Sequence, residues 1–144
     1  GSTADGHNYL RSAVEAGCAA IMVQAGSCSL DILEKKYPGL PILEATSTRP
    51  MPALVARALA GNPDETLLAA GVTGTNGKTT VSFLLQQMLD KLQGPCGLLG
   101  TIHYDTGRET IPAPLTTPSG PVFYHWLKKM KILPKKMVKQ LLIK

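Results

Sequence analysis

The spacing of apolar residues predicts an alternation of helices and strands along the first 65 residues. Residues 5–17 repeat apolar side chains at helical spacing, with Asp5 as a candidate N-cap and Gly17 as the stop. Strands alternating with helices predict an α/β fold with a mostly parallel sheet. The other predicted elements of this part are strands at 19–24 and 40–45 and helices at 29–37 and within 47–61.

A second series of elements follows the turn cluster Asn-Pro-Asp-Glu at residues 62–65. A strand, a loop, a helix, a strand, a proline-rich loop and a helix are predicted at 66–72, 73–80, 81–92, 96–105, 106–121 and 122–131. Gly100 lies inside the strand at 96–105, where glycine often marks a close approach of two backbones. We therefore predict a first domain over residues 1–65, a second over 66–131 and a basic tail over 132–144.

Charge is distributed unevenly along the chain. The 144 residues carry a formal net charge of +5, but seven lysines and no acidic residue lie between Lys128 and the last residue. The remainder has eight basic and ten acidic residues, a net charge of −2. The basic character belongs to the tail and does not favour nucleic-acid binding by the fold.

Composition sets the broad class of protein. Hydrophobic residues make up 44% of the chain, enough for a core, and no stretch approaches the roughly 18 apolar residues of a membrane span. Cys18, Cys28 and Cys96 have no metal-ligand spacing, which predicts reduced, partly buried thiols. No basic and then apolar leader is visible, so we expect a cytoplasmic protein.

Residues 72–80, with the sequence VTGTNGKTT, carry the most specific chemistry. Between a strand and a helix, glycines let backbone N–H groups point at phosphate oxygens, and the helix N-terminus adds partial positive charge. In such a loop a lysine reaches the β and γ phosphates and the next hydroxyl reaches Mg²⁺. The pattern predicts an ATP site formed by Gly74, Thr75, Asn76, Gly77, Lys78, Thr79 and Thr80.

The spacing of this loop departs from the common pattern G-x-x-x-x-G-K-[ST]. That pattern requires a glycine where this chain has Val72, and the glycines lie instead at Gly71, Gly74 and Gly77. A chance glycine-rich turn therefore remains the alternative to a nucleotide site.

The variant loop sequence TGTNGKTT resembles the ATP loop of the Mur ligases, the ADP-forming enzymes that add amino acids to the peptidoglycan precursor. Folylpolyglutamate synthetases have similar loops. The opening GSTADGH resembles the uridine-binding loop of the MurE-type ligases, which add the third amino acid. The segments LLGTI at 98–102 and LTTP at 115–118 occur in the same order, at similar separation, in that family. The resemblance covers about residues 1–131.

The resemblance implies a fold: a partial UDP-binding α/β domain followed by an incomplete P-loop ATPase-like α/β domain. It also implies contacts of this chain with the substrate, a UDP-MurNAc-peptide. Ser2, Thr3 and Ala4 are expected against its UDP part, and Thr116 and Thr117 against its muramoyl peptide.

The implied reaction joins a carboxylate to the amine of an incoming amino acid. The terminal carboxylate of the UDP-MurNAc-peptide attacks the γ phosphate of ATP and releases ADP. The amine then attacks the carbonyl of the resulting acyl phosphate and displaces inorganic phosphate, which forms the amide. Lys78 is then the catalytic residue, because it neutralises charge on the transferred phosphoryl group. Thr79 is the expected ligand of Mg²⁺.

The resemblance also implies parts that this sequence lacks. In the family, the helix at 122–131 leads into a strand with Glu-Val-Ser-Ser-His, whose glutamate helps to hold Mg²⁺, and a carbamylated lysine lies further on. Residues 132–144 here read ILPKKMVKQLLIK, without a carboxylate side chain. The domain that selects the amino acid is missing too, so we expect an internal fragment with a diverged tail, open sheet edges and negligible ligase activity.

Other side chains have a structural interpretation beside the functional one. His7 is either a surface or capping histidine or, by the resemblance, a neighbour of the substrate loop. Phe123, Trp126 and Met130 share a helical spacing and predict core positions. Two histidines and two carboxylates are expected to be structural or solvent-facing, without catalytic roles: His103, His125, Asp105 and Glu109.

Two functions of different class remain open at this point. The first is a segment of an ATP-dependent amide ligase, inactive alone; the second is a non-catalytic nucleotide- or UDP-sugar-binding module. The tail is either a poorly ordered terminus or a basic element that docks on anionic membrane. Pro134 and the lack of one apolar stripe favour the terminus.

Overall fold

The computed structural model describes residues 5–132 and 140–143. The chain divides into two compact units, Gly1–Met51 and Pro52–Lys144. The sequence instead suggested a boundary after residue 65. The helix that precedes residue 62 thus belongs, apart from its first residue, to the second compact unit.

The first unit is a small parallel α/β layer. A 3₁₀ turn, Gly6–Tyr9, leads into helix α1, Leu10–Glu15, and strand β1, Ile21–Gln24. Helix α2, Leu30–Lys36, then leads to strand β2, Ile42–Ala45, which pairs with β1 in parallel. Helix α2 has Asp31 in its first turn and lysines in its last turn, which complement the helix dipole. The core consists of Ile21, Val23 and Leu33, with Leu10 and Val14 of α1 packed against it.

The second unit begins with helix α3, Met51–Leu59, followed by a 3₁₀ turn, Pro63–Glu65. Its remaining elements are β3, Leu68–Gly71; α4, Lys78–Gln93; β4, Gly97–Leu99; β5, His103–Asp105; β6, Thr110–Pro112; α5, Gly120–Ile132; and β7, Gln140–Ile143. The sheet order is β3-β7-β4-β5-β6. Strands β3, β7 and β4 pair in parallel, while β4, β5 and β6 form an antiparallel meander.

The core of the second unit lies between the sheet and α5. Its buried residues are Leu67, Leu99, Tyr104, Trp126, Leu127 and Met130. The rings of Tyr104 and Trp126 meet edge to face, with centroids 5.7 Å apart. Trp126 and Met130 are buried as predicted, and Phe123 packs partly buried against the same cluster. A smaller cluster joins Cys96 and Leu98 to apolar side chains of α4.

Helices α3 and α5 approach each other closely at a glycine. A Cβ atom on Gly120 would lie 2.4 Å from the Cβ and 2.9 Å from the Cα of Ala53. Both distances are far below van der Waals contact, so the approach of the two helices requires glycine at this position.

Helix α4 buries polar side chains and exposes apolar ones. Ser82 and Gln86 are 1% and 7% exposed, and Gln86 Nε2 donates hydrogen bonds to Cys96 O (2.9 Å) and Asp105 Oδ2 (3.0 Å). The exposed side carries Val81, Leu84, Met88 and Leu92. Phe83, Leu85 and Leu89 are partly buried and pack against Cys96 and Leu98.

Three sequence predictions about this unit are wrong. Residues 96–105 form two strands rather than one, because the chain turns at Gly100, whose N–H donates to His103 O (3.1 Å). The proline-rich loop contains strand β6, which pairs antiparallel with β5 and makes the sheet of this unit mixed. The tail contributes β7, an inner strand of the sheet that was expected to be missing, while β3 remains at an edge of the sheet. Residues 133–139, including Pro134, lie outside the described residues.

Candidate functional site

The glycine loop connects the end of β3 to the start of α4. Residues 73–77 are exposed and form no helix or strand, so the backbone of this loop is accessible. Gly74 and Gly77 have φ angles of 145° and 76°, a region that other residues rarely adopt. The two glycines therefore make the tight path from strand to helix possible.

Lys78 is the first residue of α4, and its side chain turns back over the loop. The Lys78 ammonium donates to Gly74 O (2.6 Å) and Thr75 O (3.2 Å). These two bonds close the loop into a ring of backbone with a positive charge on it. The predicted residues from Gly74 to Lys78 are therefore brought together in one small structure.

The N-terminus of α4 is electrostatically suited to an anion. The helix has 16 residues, and its first turn contains no acidic residue. Gly77 is the N-cap without a side chain, so the first N–H groups of the helix receive no side-chain cap from it. Thr79 and Thr80 lie in this first turn, with Thr79 half-buried and Thr80 exposed. Positive partial charge and the Lys78 ammonium thus coincide at one end of α4.

Thr116 and Thr117 lie in a different loop of the same unit, between β6 and α5. Both residues are exposed. The Tyr104 hydroxyl, from the core, donates to Leu115 O (2.7 Å) and so fixes the residue that precedes them. The pattern of the sequence gave no sign of this anchor, because Tyr104 is 11 positions away.

The start of the chain is only partly described. Ser2, Thr3 and Ala4 lie outside the described residues. Asp5 caps the first turn as predicted, by accepting from the His7 N–H (3.0 Å). The His7 ring lies between Asp5 and the β1–α2 turn. Its Nδ1 is 2.5 Å from Asp5 Oδ1, and its Nε2 is 3.2 Å from Gln24 N and 2.8 Å from Ser27 Oγ.

These contacts assign a structural role to His7. Since Nε2 accepts the Gln24 N–H, the proton of the neutral ring lies on Nδ1 and is donated to Asp5. His7 hydrogen bonds also lower the pKa of the Asp5 carboxyl. The histidine therefore joins the beginning of the described chain to the end of β1, which is the capping interpretation with an added long-range contact.

A cleft of about 300 Å³ lies at the other end of α4 and contains none of the predicted site residues. It is lined by Asp90, Pro95, Cys96, Asp105, Gly107, Arg108 and Thr110. Asp90 Oδ1 accepts the Cys96 N–H (2.5 Å), and Asp105 Oδ1 accepts the Gly107 N–H (2.7 Å). Asp105 is half-buried and bonded within the fold, contrary to the expectation that it faces solvent.

The cysteines of the chain are free thiols, with Cys96 buried and the other two half-buried. Burial raises the pKa of the Cys96 thiol to about 12, and the nearby carboxylates of Asp90 and Asp105 add to the effect. The thiol at the cleft is therefore protonated near neutral pH and a poor nucleophile.

No helix within residues 5–132 has the length and apolar character that crossing a bilayer requires. Among the described side chains, no three His, Cys, Asp or Glu residues are grouped so that they could bind a metal ion.

Comparison with known proteins identifies relatives of both units. Residues 72–137 match the Mur ligase middle domain. The UDP-N-acetylmuramoyl-L-alanyl-D-glutamate--2,6-diaminopimelate ligase of Geobacillus kaustophilus is 35% identical over 130 residues, which are 90% of this chain and 25% of that protein. The ligase of the same name from Oceanobacillus iheyensis is 36% identical over 140 residues, 97% of this chain and 26% of its own length.

A third relative gives the same result. The Aquifex aeolicus ligase of that name is 33% identical over 138 residues, 96% of this chain and 27% of its own length. The chain thus spans about a quarter of the length of the curated relatives that it matches. The similarity extends over nearly the whole chain and includes the glycine loop in the matched middle domain, so the chain belongs to the Mur ligase family.

Proposed function

We propose that residues 74–80 bind the phosphates of ATP as part of an ATP-dependent amide ligase. The observation that carries the proposal is the exposed glycine loop between β3 and α4, closed by the Lys78 ammonium at a helix N-terminus. Such an arrangement presents backbone N–H groups and a cation to one anionic ligand.

The chemistry of the loop fits a nucleotide phosphate. The only charged side chain in residues 72–80 is Lys78, and the first turn of α4 has no carboxylate to repel a phosphate. The ammonium is bonded to two loop carbonyls, and it can exchange these neutral acceptors for phosphate oxygens, which are stronger acceptors. In this proposal the Thr79 hydroxyl holds Mg²⁺, and residues 74–80 surround the triphosphate.

The names of the relatives define the reaction class of the proposal. They are ligases that act on UDP-N-acetylmuramoyl-L-alanyl-D-glutamate and 2,6-diaminopimelate. When bound, ATP supplies the phosphoryl group that activates a carboxylate for attack by an amine. Lys78 is the proposed catalytic residue, because its charge lies where the transferred group gains negative charge. The loop holding Thr116 and Thr117, anchored by Tyr104, is the proposed contact with the muramoyl peptide.

The domain assignment belongs to the same proposal. Residues 1–65 are assigned to a partial UDP-binding domain, with Ser2, Thr3 and Ala4 at the UDP, and residues 66–131 to the start of a P-loop ATPase-like domain. Residues 132–144 remain the diverged tail, and a cytoplasmic location remains the expectation.

The alternative proposal is a module that binds a nucleotide or a UDP-sugar through the same exposed loop, without catalysis. The two proposals share the loop and differ in what the loop does. An assay of ADP release separates them. ATP, UDP-N-acetylmuramoyl-dipeptide, diaminopimelate and the remaining part of a relative's ligase chain are added to this chain. Only the ligase proposal predicts release of ADP from this mixture.

Isothermal titration with Mg-ATP tests the loop itself. We expect sub-millimolar binding by the unmodified chain and loss of that binding in Lys78→Ala. Lys91→Ala is the matched control, since Lys91 is an exposed lysine at the other end of the same helix. Equal affinity in Lys78→Ala and the unmodified chain removes Lys78 from the site and contradicts the proposal.

A further inference from the structure

Asn76 and Gly77 form the one Asn-Gly pair of the chain, and both residues lie in the exposed glycine loop. An asparagine that precedes glycine is chemically labile, because the backbone nitrogen of the second residue can attack the side-chain amide carbon of the first. Glycine has no Cβ to hinder this attack, and its backbone has the freedom that ring closure requires. The pair is therefore a candidate site of covalent change.

The structure leaves both reacting groups accessible. Residues 73–77 are exposed and belong to no helix or strand. Gly77 is the N-cap of α4, and it is the carbonyl of Gly77 that takes part in the helix, by accepting the Val81 N–H (2.9 Å). Within the described part of the chain, neither the Gly77 N–H nor the Asn76 side chain makes a hydrogen bond that would have to break before the attack.

The charges around this peptide group favour the reaction. The attack requires loss of the Gly77 N–H proton, and the tetrahedral intermediate carries negative charge on the former amide oxygen. The start of α4 supplies positive partial charge here, and the Lys78 ammonium lies 2.6 Å from Gly74 O and 3.2 Å from Thr75 O. Fixed positive charge beside a developing negative charge lowers the barrier to its formation. The first turn of α4 has no acidic residue to oppose this effect.

We propose that Asn76 is a site of spontaneous deamidation that switches off the glycine loop. The Gly77 nitrogen forms a bond to the side-chain carbonyl carbon of Asn76, and the bond from that carbon to the amide nitrogen breaks. The amide nitrogen leaves as ammonia with the proton of the Gly77 N–H, and a five-membered succinimide ring remains. Water then opens the ring at either carbonyl, which leaves aspartate or isoaspartate at position 76.

Both products place a carboxylate in a loop that otherwise has one charged side chain, the Lys78 ammonium. The carboxylate pairs with this ammonium and repels phosphate oxygens. Isoaspartate also adds one methylene to the backbone path between β3 and α4. The loss of phosphate binding rests on the proposed ATP site at residues 74–80, whereas the deamidation itself does not depend on that site.

The chain contains its own controls for the modification. Its other two asparagines are Asn8, which is followed by Tyr9, and Asn62, which is followed by Pro63. Tyrosine hinders the attack with its side chain, and proline has no N–H to lose. Deamidation by this route should therefore be slow at both control positions.

Mass spectrometry of the full chain tests the modification without nucleotide. The chain is kept at neutral pH, and samples taken over time, including one at the start, are digested with trypsin. Asn62 and Asn76 fall in the same tryptic peptide, residues 58–78, in which fragmentation separates the two positions. We expect the acid to accumulate at position 76 several-fold faster than at positions 8 and 62. Equal rates at the three positions overturn the proposal.

Isothermal titration with Mg-ATP tests the switch. Asn76→Asp, a stable copy of one product, should bind Mg-ATP about tenfold more weakly than the unmodified chain. Gln87→Glu makes the same change from amide to acid at an exposed position of α4 more than two turns away, where screening should leave the affinity unchanged. Undiminished binding by Asn76→Asp overturns the switch. If the unmodified chain does not bind Mg-ATP, the proposed ATP site and the switch both fail, and the mass measurement alone decides the deamidation.

Discussion

The contact between Gly120 and Ala53 gives a sharp prediction about stability. Alanine at position 120 places a Cβ atom 2.4 Å from the Cβ and 2.9 Å from the Cα of Ala53. The second distance involves backbone, which no side-chain rotation can relieve. The two helices must therefore separate, or the start of α5 must move.

The expected magnitude is a balance of two terms. Overpacking costs about 1–3 kcal/mol, and a contact with rigid backbone belongs to the upper part of that range. Gly120 is the first residue of α5, where alanine stabilises by about 0.4–1 kcal/mol because it lowers the entropy of the unfolded chain. We therefore expect Gly120→Ala to lower the free energy of unfolding by about 1–2 kcal/mol.

Two other glycines of the same unit make a graded series. A Cβ on Gly97 would lie 2.7 Å from the end of the Met130 side chain, which can move, and 3.2 Å from Asp105 O. Its replacement by alanine should cost less than that of Gly120. Gly71 has nothing within 4 Å of its Cβ position and no positive φ, so Gly71→Ala is the neutral control, within about 0.5 kcal/mol.

Urea unfolding followed by tryptophan fluorescence measures all three variants. Trp126 is the single tryptophan, and it is buried in the core of the second unit. The urea concentration at the midpoint should fall in the order Gly71→Ala, Gly97→Ala, Gly120→Ala. The dependence of the unfolding free energy on urea should stay the same in all three variants. A midpoint for Gly120→Ala equal to or above that of the unmodified chain would refute the close approach of α3 and α5.

Three further predictions follow from single contacts. Tyr104→Phe keeps the ring but removes the hydrogen bond to Leu115 O, and should lower the free energy of unfolding by about 1 kcal/mol. It should also speed amide hydrogen exchange in the loop that follows Leu115, measured by mass spectrometry. Burial raises the pKa of the Cys96 thiol from 9.0 to about 12, so the thiol adds stability below pH 9 that is lost as the pH rises towards 12. The urea midpoints of Cys96→Ala should lack this part of the pH dependence. His7→Ala should increase the exchange rate of the Gln24 amide in NMR spectra, and an unchanged rate contradicts the assigned bond.

Helices and the strands adjoining them were predictable because their signals are local. The glycine loop is the best example: Gly74, Gly77 and Lys78 lie within five residues, and strand, loop and helix follow one another in the chain. Amphipathic spacing likewise predicted the helix that buries Trp126 and Met130. In these cases the residues that form the structural feature lie close together in the sequence, so a local sequence pattern is enough to predict it.

The errors concern features that depend on distant partners. The turn at Gly100 divides a continuous apolar run, and only the pairing of Leu99 with Tyr104 reveals it. The His7 contact with Ser27 spans 20 positions, and the cleft at Asp90 and Asp105 is assembled from two strands and a helix end. No periodicity encodes such contacts.

The insertion of β7 between β3 and β4 has a consequence for how the chain is made. Strand β3 pairs Leu68 with Gln140, half a chain length away, and β4 pairs with the same late strand. On the ribosome, both earlier strands are therefore synthesised well before their common neighbour. Closing so large a loop is slow, and a nascent sheet that waits for its middle strand can pair with another nascent chain. The yield of soluble protein should therefore depend on the speed of translation through the codons of Gln140–Ile143.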